Sequence, residues 1–255
     1  MKKLTTNLTL AAALTLALAT LGAGMAHAED AKPAEPTPDN VVSYNVALTS
    51  DYRYRAISQS RLKPALQGGA DYTNNPTGLY AGTWLSTIHW IKDSGGDGNV
   101  EWDLYGGKRG EIVKDVSYDV GGLYYFYPSN NLQTSANTFE LYGQVGYGPG
   151  YIKYSHSLTN LFGFADSKNS GYLDAGANIE IAEGLVLNLH AGHQKVKGTG
   201  NDVYSYSDYK IGVTKDFGIV SVSLAAIKAD VPYYVGTIAK DMAKTGVVLT
   251  VSKTF

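Results

Sequence analysis

Apolar and polar residues alternate along most of this chain, and the alternation stops and restarts at turn residues. In segment 170–182, Leu173, Ala175, Ala177, Ile179 and Ile181 share one parity, while Tyr172, Asp174, Gly176, Asn178 and Glu180 share the other. Segment 184–194 repeats the pattern, with Leu185, Leu187, Leu189 and Ala191 opposite Asn188, His190, Gly192 and Gln194. Near the start, Val42, Tyr44, Val46 and Leu48 oppose Ser43, Asn45, Ala47, Thr49 and Asp51. A period of two is that of a β-strand with one apolar face. Twelve such segments follow from it: 41–54, 64–73, 77–88, 99–109, 116–127, 137–147, 150–158, 170–182, 184–194, 204–216, 219–229 and 244–255. The third leaves its register open, because Tyr80 and Trp84 compete with Leu79 and Leu85 for the apolar face.

The connections alternate in length. Asn74 to Pro76, Gly110 to Asp115, Gly148-Pro149, Glu183 and Phe217-Gly218 are tight, whereas Ile57 to Lys63, His89 to Gly98, Pro128 to Ala136, Thr159 to Asn169, Lys195 to Val203 and Asp230 to Ala243 are longer and polar. Short turns at one rim and long loops at the other belong to transmembrane barrels with periplasmic turns and extracellular loops. The predicted fold is therefore all-β, a single transmembrane antiparallel barrel of about twelve strands. In hydrocarbon an unpaired backbone group costs several kcal/mol, so the first and last strands must pair. The last segment carries Val247, Leu249, Val251 and Phe255 on its apolar face, with Lys253 as the exception and Val248 interrupting the polar face. A lysine near the membrane boundary can extend its amine to the headgroups.

Composition adds a route and removes some partners. Residues 1–28 read as a cleavable signal peptide: Lys2 and Lys3, an apolar stretch from Leu8 to Leu21, then Ala26-His27-Ala28. Residues 29–40, with three prolines, read as a flexible periplasmic leader, and 41–255 as the outer-membrane barrel. Twenty tyrosines suit strands and membrane boundaries, and 29 glycines accompany them. With no cysteine, neither disulfides nor thiolate ligands are available, and a net charge of -2 without a basic stripe gives no reason for a nucleic-acid partner.

The run Thr49-Ser50-Asp51-Tyr52-Arg53-Tyr54-Arg55-Ala56-Ile57-Ser58-Gln59-Ser60, then Pro64 to Tyr72, Gly78 to Ser86 and Glu101 to Gly107, resembles the TorF family of porins, the Gcw-type exported proteins. The resemblance extends to the closing Ser252-Lys253-Thr254-Phe255 and departs at Ala56, where a glycine is expected after the second arginine. It implies an outer-membrane barrel and a porin without naming a solute. It also implies that Phe255 is the signal read by the barrel insertion machinery.

The polar parity supplies the candidate chemistry. Asp51, Arg53 and Arg55 on the first segment would project one way into the lumen, joined by Asp71, Glu101, Asp103, Asp119, Glu140, Asp174 and Glu180, with Gln67, Lys153 and His190. Carboxylates facing arginines across a pore sort small polar or charged solutes. Alternatively the charges pair, Arg53 and Arg55 with Asp71 or with Glu101 and Asp103, and fill the interior of a structural barrel. Two further alternatives are surface interaction through loops bearing Trp90, Phe162 and Phe164, which could equally fold inward as a constriction, and an outer-membrane hydrolase built on His193 and Ser205. Tyr124 to Tyr127 read as an interfacial girdle, with only Tyr125 and Tyr127 on the inward parity. No cofactor is implied and no metal: His190 and His193 fall on opposite faces of one strand. The expected partners are outer-membrane lipid, the insertion machinery and small solutes.

Overall fold

The structure is a computed structural model and describes residues 38–233, 235 and 238–255. The stretch read as a signal peptide, and the stretch read as a leader up to residue 37, lie outside the described residues. The strands are β1 (Asn40–Thr49), the two-residue β2 (Arg53–Tyr54) and β3 (Ile57–Ser58), β4 (Ala65–Asn74), β5 (Leu79–Thr87), β6 (Val100–Val113) and β7 (Val116–Phe126). They continue with β8 (Thr138–Tyr147), β9 (Gly150–Ser157), β10 (Gly171–Ala182), β11 (Leu185–Lys195), β12 (Tyr206–Asp216), β13 (Ser221–Ala229) and β14 (Gly246–Thr254). All but β2 and β3 form one closed antiparallel barrel of twelve strands, in which β1 lies between β4 and β14.

The alternation predicted from sequence is the inside-outside alternation of that barrel. Val42, Tyr44, Val46 and Leu48 are exposed on the outer wall, as are Val247, Leu249, Val251 and Phe255 at the other end of the chain. The open register of β5 resolves with the aromatics inward: Tyr80 and Trp84 are buried, and Leu79 and Leu85 face out. Residues 124–127 split in the same way. Tyr125 and Tyr127 are buried inside, while Tyr124 stacks on Phe126 with centroids 6.1 Å apart.

The glycines and tyrosines have a common explanation. Gly82 is the register partner of Tyr105, Gly107 of Tyr80, Gly121 of Tyr142 and Gly176 of Tyr151. In each pair a Cβ on the glycine would come within 2.7 Å of the tyrosine side chain, so the ring lies where a neighbour's side chain would otherwise stand. An inward tyrosine thus packs flat against the wall of the adjacent strand, a device that stiffens sheets at glycine positions.

The seam between β1 and β14 runs from Asn45↔Thr254 to Thr49↔Thr250. Phe255 extends it by two backbone bonds with Tyr44, 2.8 and 3.2 Å. At the opposite end the hydroxyl of Ser50 accepts from the Leu249 amide at 2.9 Å.

The first segment departs from expectation. Its strand ends at Thr49, and residues 51–60 turn inward instead of rising as a loop. Within that segment β2 and β3 form a hairpin, Arg53↔Ser58 and Tyr54↔Ile57, turning at Arg55 (φ 46) and Ala56 (φ 65). Positive φ at both central residues is what a two-residue type I′ turn demands, and glycine or asparagine usually supplies it. The departure at Ala56 is therefore a strained alanine at this bend. Ala56→Gly should stabilise the barrel by about 1 kcal/mol by removing a Cβ from the left-handed region, read as a higher urea midpoint for unfolding from lipid vesicles.

Candidate functional site in the barrel lumen

The inward hairpin decides where the predicted charges lie. Asp51, Arg53 and Arg55 are not a comb along one strand, because the strand has ended before them and a turn separates their directions. Asp51 accepts from Arg53 Nε at 2.6 Å and from the Ser58 hydroxyl at 2.5 Å, and so closes the base of the hairpin. Arg55, at its tip, crosses the lumen. Its Nη2 donates to both oxygens of Glu140 on β8 at 2.8 and 3.1 Å, and its Nη1 donates to Gln194 Oε1 on β11 at 2.6 Å. The guanidinium lies over the Tyr172 ring at 4.1 Å and the Tyr54 ring at 4.7 Å. The alternative pairing of these arginines with Asp71, Glu101 or Asp103 is thereby corrected: Arg53 takes Asp51, and Arg55 takes Glu140.

The rest of the hairpin fastens to both sides of the lumen. Tyr54 and Tyr125 share a hydroxyl bond of 2.7 Å, Tyr52 donates to Glu101 at 3.1 Å, and Tyr206 donates to the Arg55 carbonyl at 3.0 Å. Tyr52, Tyr54, Trp84, Tyr125, Tyr127 and Tyr142 belong to one buried cluster that fills the side of the lumen next to β5, β7 and β8. Lys153 joins it with its amine 4.1 Å from the Tyr142 ring centroid.

The carboxylates fall into three groups. Glu101 and Asp103 are buried within the filled side, and both Asp103 oxygens and Glu101 Oε2 lack a protein hydrogen-bond partner. Asp71 and Asp119 accept from Tyr105 and Tyr80, each at 2.6 Å. Asp174 lies on the opposite wall, where His190 bridges it to Asp208: Nδ1 to Asp174 at 2.9 Å and Nε2 to Asp208 at 2.7 Å. Asp174 and Asp208 flank Gly192 in register, and the space above that glycine admits the Tyr172 hydroxyl, which donates to Asp208 at 2.8 Å. Glu180 departs from the set, because it is exposed at the short-turn rim and accepts from the Gly184 amide.

Two chambers inside are lined by described residues. The first, about 120 Å³, has Asp174, His190, Asp208 and Lys210 on one side and small neutral side chains such as Ser223, Ala225 and Thr250 on the other. The second, about 70 Å³, lies toward the long loops between Tyr54, Trp90, Tyr127, Phe162, Phe164 and Tyr206. Arg55 is the residue common to both linings. Of the two expectations for Trp90, Phe162 and Phe164, exposed anchors for a surface partner or loops folded inward as a constriction, the inward one holds: all three line the upper chamber.

Asp208, Lys210, Gln194, Tyr172 and Trp90 escaped the candidate list. Asp208 and Lys210 carry a usable signal, since they stand two apart on the inward parity of segment 204–216. Contact between Gln194 and Arg55 depends on a hairpin that no periodicity announces. His193 meets its register partner Ser207, Nδ1 to Oγ 3.1 Å, and not Ser205, whose hydroxyl accepts from the Val196 amide. Among the described residues no carboxylate bonds to that imidazole, and no group of acidic or histidine side chains has the geometry of a metal site.

A closed twelve-stranded barrel, apolar outside and polar within, is the fold found in porins. Residues 33–255 match the family described as "Bacterial protein of unknown function (Gcw_chp)", and the chain belongs to that family. No curated protein matches it. Among solved structures it is similar to the KdgM porin (TM-score 0.55, 6% identity, 84% of this chain and 98% of that one). It is also similar to the NanC porin (TM-score 0.53, 9% identity, 83% and 98%). A further match is the KdgM porin in complex with disordered oligogalacturonate (TM-score 0.52, 6% identity, 84% and 97%).

Proposed function

We propose that the chain is an outer-membrane, porin-like channel for passive diffusion of small polar or charged solutes, with its lumen constricted by the Arg55 hairpin. The observation that carries this reading is the pair of chambers meeting at one guanidinium. A solid structural barrel has no need of a polar chamber of about 120 Å³ beside a packed side. Twelve strands lie between the roughly 8 that side chains fill and the roughly 16 that leave a wide aqueous channel, so a hairpin suffices to set the aperture. One barrel of the same fold is described with oligogalacturonate bound, which supports a polar solute. The lumen-facing candidates are then Asp51, Arg53, Arg55, Asp71, Glu101, Asp103, Asp119, Glu140 and Asp174. Residues 1–28 serve export, and Phe255, exposed at the rim, serves recognition by the insertion machinery.

Planar-bilayer recording tests the proposal. The purified protein should give small, discrete conductance steps, and a variant with residues 53–58 replaced by a short Gly-Ser turn should give larger ones. Absence of conductance from both, with folding shown by heat-sensitive gel mobility, would leave the plugged structural barrel as the correct reading.

A further inference from the structure

The rim above β4 and β5 carries a patch of positive charge that lines neither chamber. There the chain leaving the inward hairpin meets the loop after β5: the His89 and Trp90 amides donate to the Gln59 carbonyl at 2.8 and 3.2 Å. This contact brings Arg61 and Lys63 up to His89 and Lys92. Partial burial, and then the Arg61, Lys63 and Lys92 cations beside it, hold the His89 imidazole below its ordinary pKa. Arg61 is taken by Asp93, to which it donates through Nε at 2.9 Å and through Nη2. Lys63 and Lys92 are exposed, and among the described residues neither amine has a hydrogen bond or an ion pair. The patch therefore keeps two uncompensated charges, both open to solvent.

Just below this rim, on the outer wall, Leu66, Leu85 and Trp102 are exposed. Leu85 and Trp102 are register partners on β5 and β6, and the Leu66 amide donates to Thr87 Oγ1 at 3.1 Å, so the three adjoin on neighbouring strands. We propose that wall and rim together bind an outer-leaflet lipid with a phosphate headgroup, as in lipid A, its acyl chains along Leu66, Leu85 and Trp102 and its phosphate facing Lys63 and Lys92. Exposed amines hold a free anion only weakly, because water and salt screen them. A phosphate kept at headgroup depth by its own acyl chains is already concentrated there, and each lysine near such a surface strengthens the attachment. A choline headgroup is disfavoured, because it would bring an ammonium toward two lysines. Trp102 suits the same boundary: its Nε1 donates to Thr83 Oγ1 at 2.6 Å, and its exposed ring is left for lipid.

The inference rests on the outer-membrane reading and not on conduction. Native mass spectrometry of the detergent-solubilised barrel, titrated with diphosphoryl lipid A or phosphatidylcholine, tests it without ion flow. Diphosphoryl lipid A should bind about tenfold tighter than phosphatidylcholine, or more. Lys63→Gln combined with Lys92→Gln should weaken it about thirtyfold. The pair Lys197→Gln and Lys228→Gln removes as much charge from exposed positions elsewhere on the rim, and should weaken it by less than about threefold. Equal binding of phosphatidylcholine would show an apolar wall alone, and equal weakening by the two pairs would show attraction to net charge. Inorganic pyrophosphate binding as tightly as lipid A would show a soluble-anion site in the loops. Each of these results overturns the proposal. Should the Lys63 and Lys92 variant fail to fold, the two lipids and pyrophosphate on the native protein decide.

Discussion

Glu140→Ala should release the Arg55 hairpin from the lumen. The substitution leaves a guanidinium buried inside the barrel with Gln194 as its remaining side-chain acceptor. Removing one partner of a buried ion pair costs about 3–5 kcal/mol, because the other charge stays desolvated and uncompensated. Here the charge has an exit. The hairpin can swing toward the long loops and return Arg55 to water, so the penalty is expressed as a shift of about two to three and a half orders of magnitude from docked to released, at about 1.4 kcal/mol per factor of ten. The measurements are single-channel conductance and trypsin cleavage after Arg55, both expected to rise. Replacing both partners by methionine removes the uncompensated charge, and should keep the hairpin docked and the conductance near that of the native protein. If Glu140→Ala conducts like the native protein and Arg55 stays protected from trypsin, the ion pair is not what holds the constriction.

His190→Ala should cost about as much, about 3–5 kcal/mol, but in the stability of the wall and not in the position of the hairpin. The imidazole bridges Asp174 on β10 and Asp208 on β12, both almost fully buried, across Gly192. Without it two carboxylates face each other over a position that has no side chain, and Lys210 is the cation left on that side of the chamber. Urea unfolding from lipid vesicles should show the loss, and His190→Gln, which retains a donor for one carboxylate, should lose less. A midpoint unchanged in His190→Ala would mean that Asp174 and Asp208 are solvated by the chamber and do not depend on the bridge.

The barrel was legible because its physics is periodic. Residues such as Leu173, Ile179 and Leu187 repeat one simple choice, lipid on one side and lumen on the other, and turn length fixes the rim. Where the two faces accept the same residue type, the signal fails: Tyr80 and Trp84 suit a membrane boundary as well as a packed lumen, so the register of β5 needed the structure. The site was legible only in part. Asp174, Glu140 and Asp119 follow from parity, but extending that parity past Thr49 misplaced Asp51, Arg53 and Arg55. Nothing between Thr49 and Arg55 marks the end of the strand, and the turn is made by arginine and alanine where a glycine would have given warning. The meeting of Arg55 with Glu140 and Gln194 joins positions far apart in sequence through a fold-back, which no local pattern encodes.

The hairpin also spans the line along which the cylinder is closed. Arg53 Nη1 donates to the Lys244 carbonyl at 2.8 Å, and the Ser58 amide donates to the Met242 carbonyl at 2.9 Å, tying the chain just beyond β1 to the chain just before β14. The β1–β14 ladder itself pairs only Asn45 to Thr49 with Thr250 to Thr254, whereas β1 pairs with β4 along its whole length from Asn40 to Thr49. The obstruction in the lumen is therefore also a keystone, clasped over the weakest joint of the wall. Widening the passage and loosening the joint become one mechanical event, and a barrel with its hairpin drawn out should show faster amide exchange first along β1 and β14.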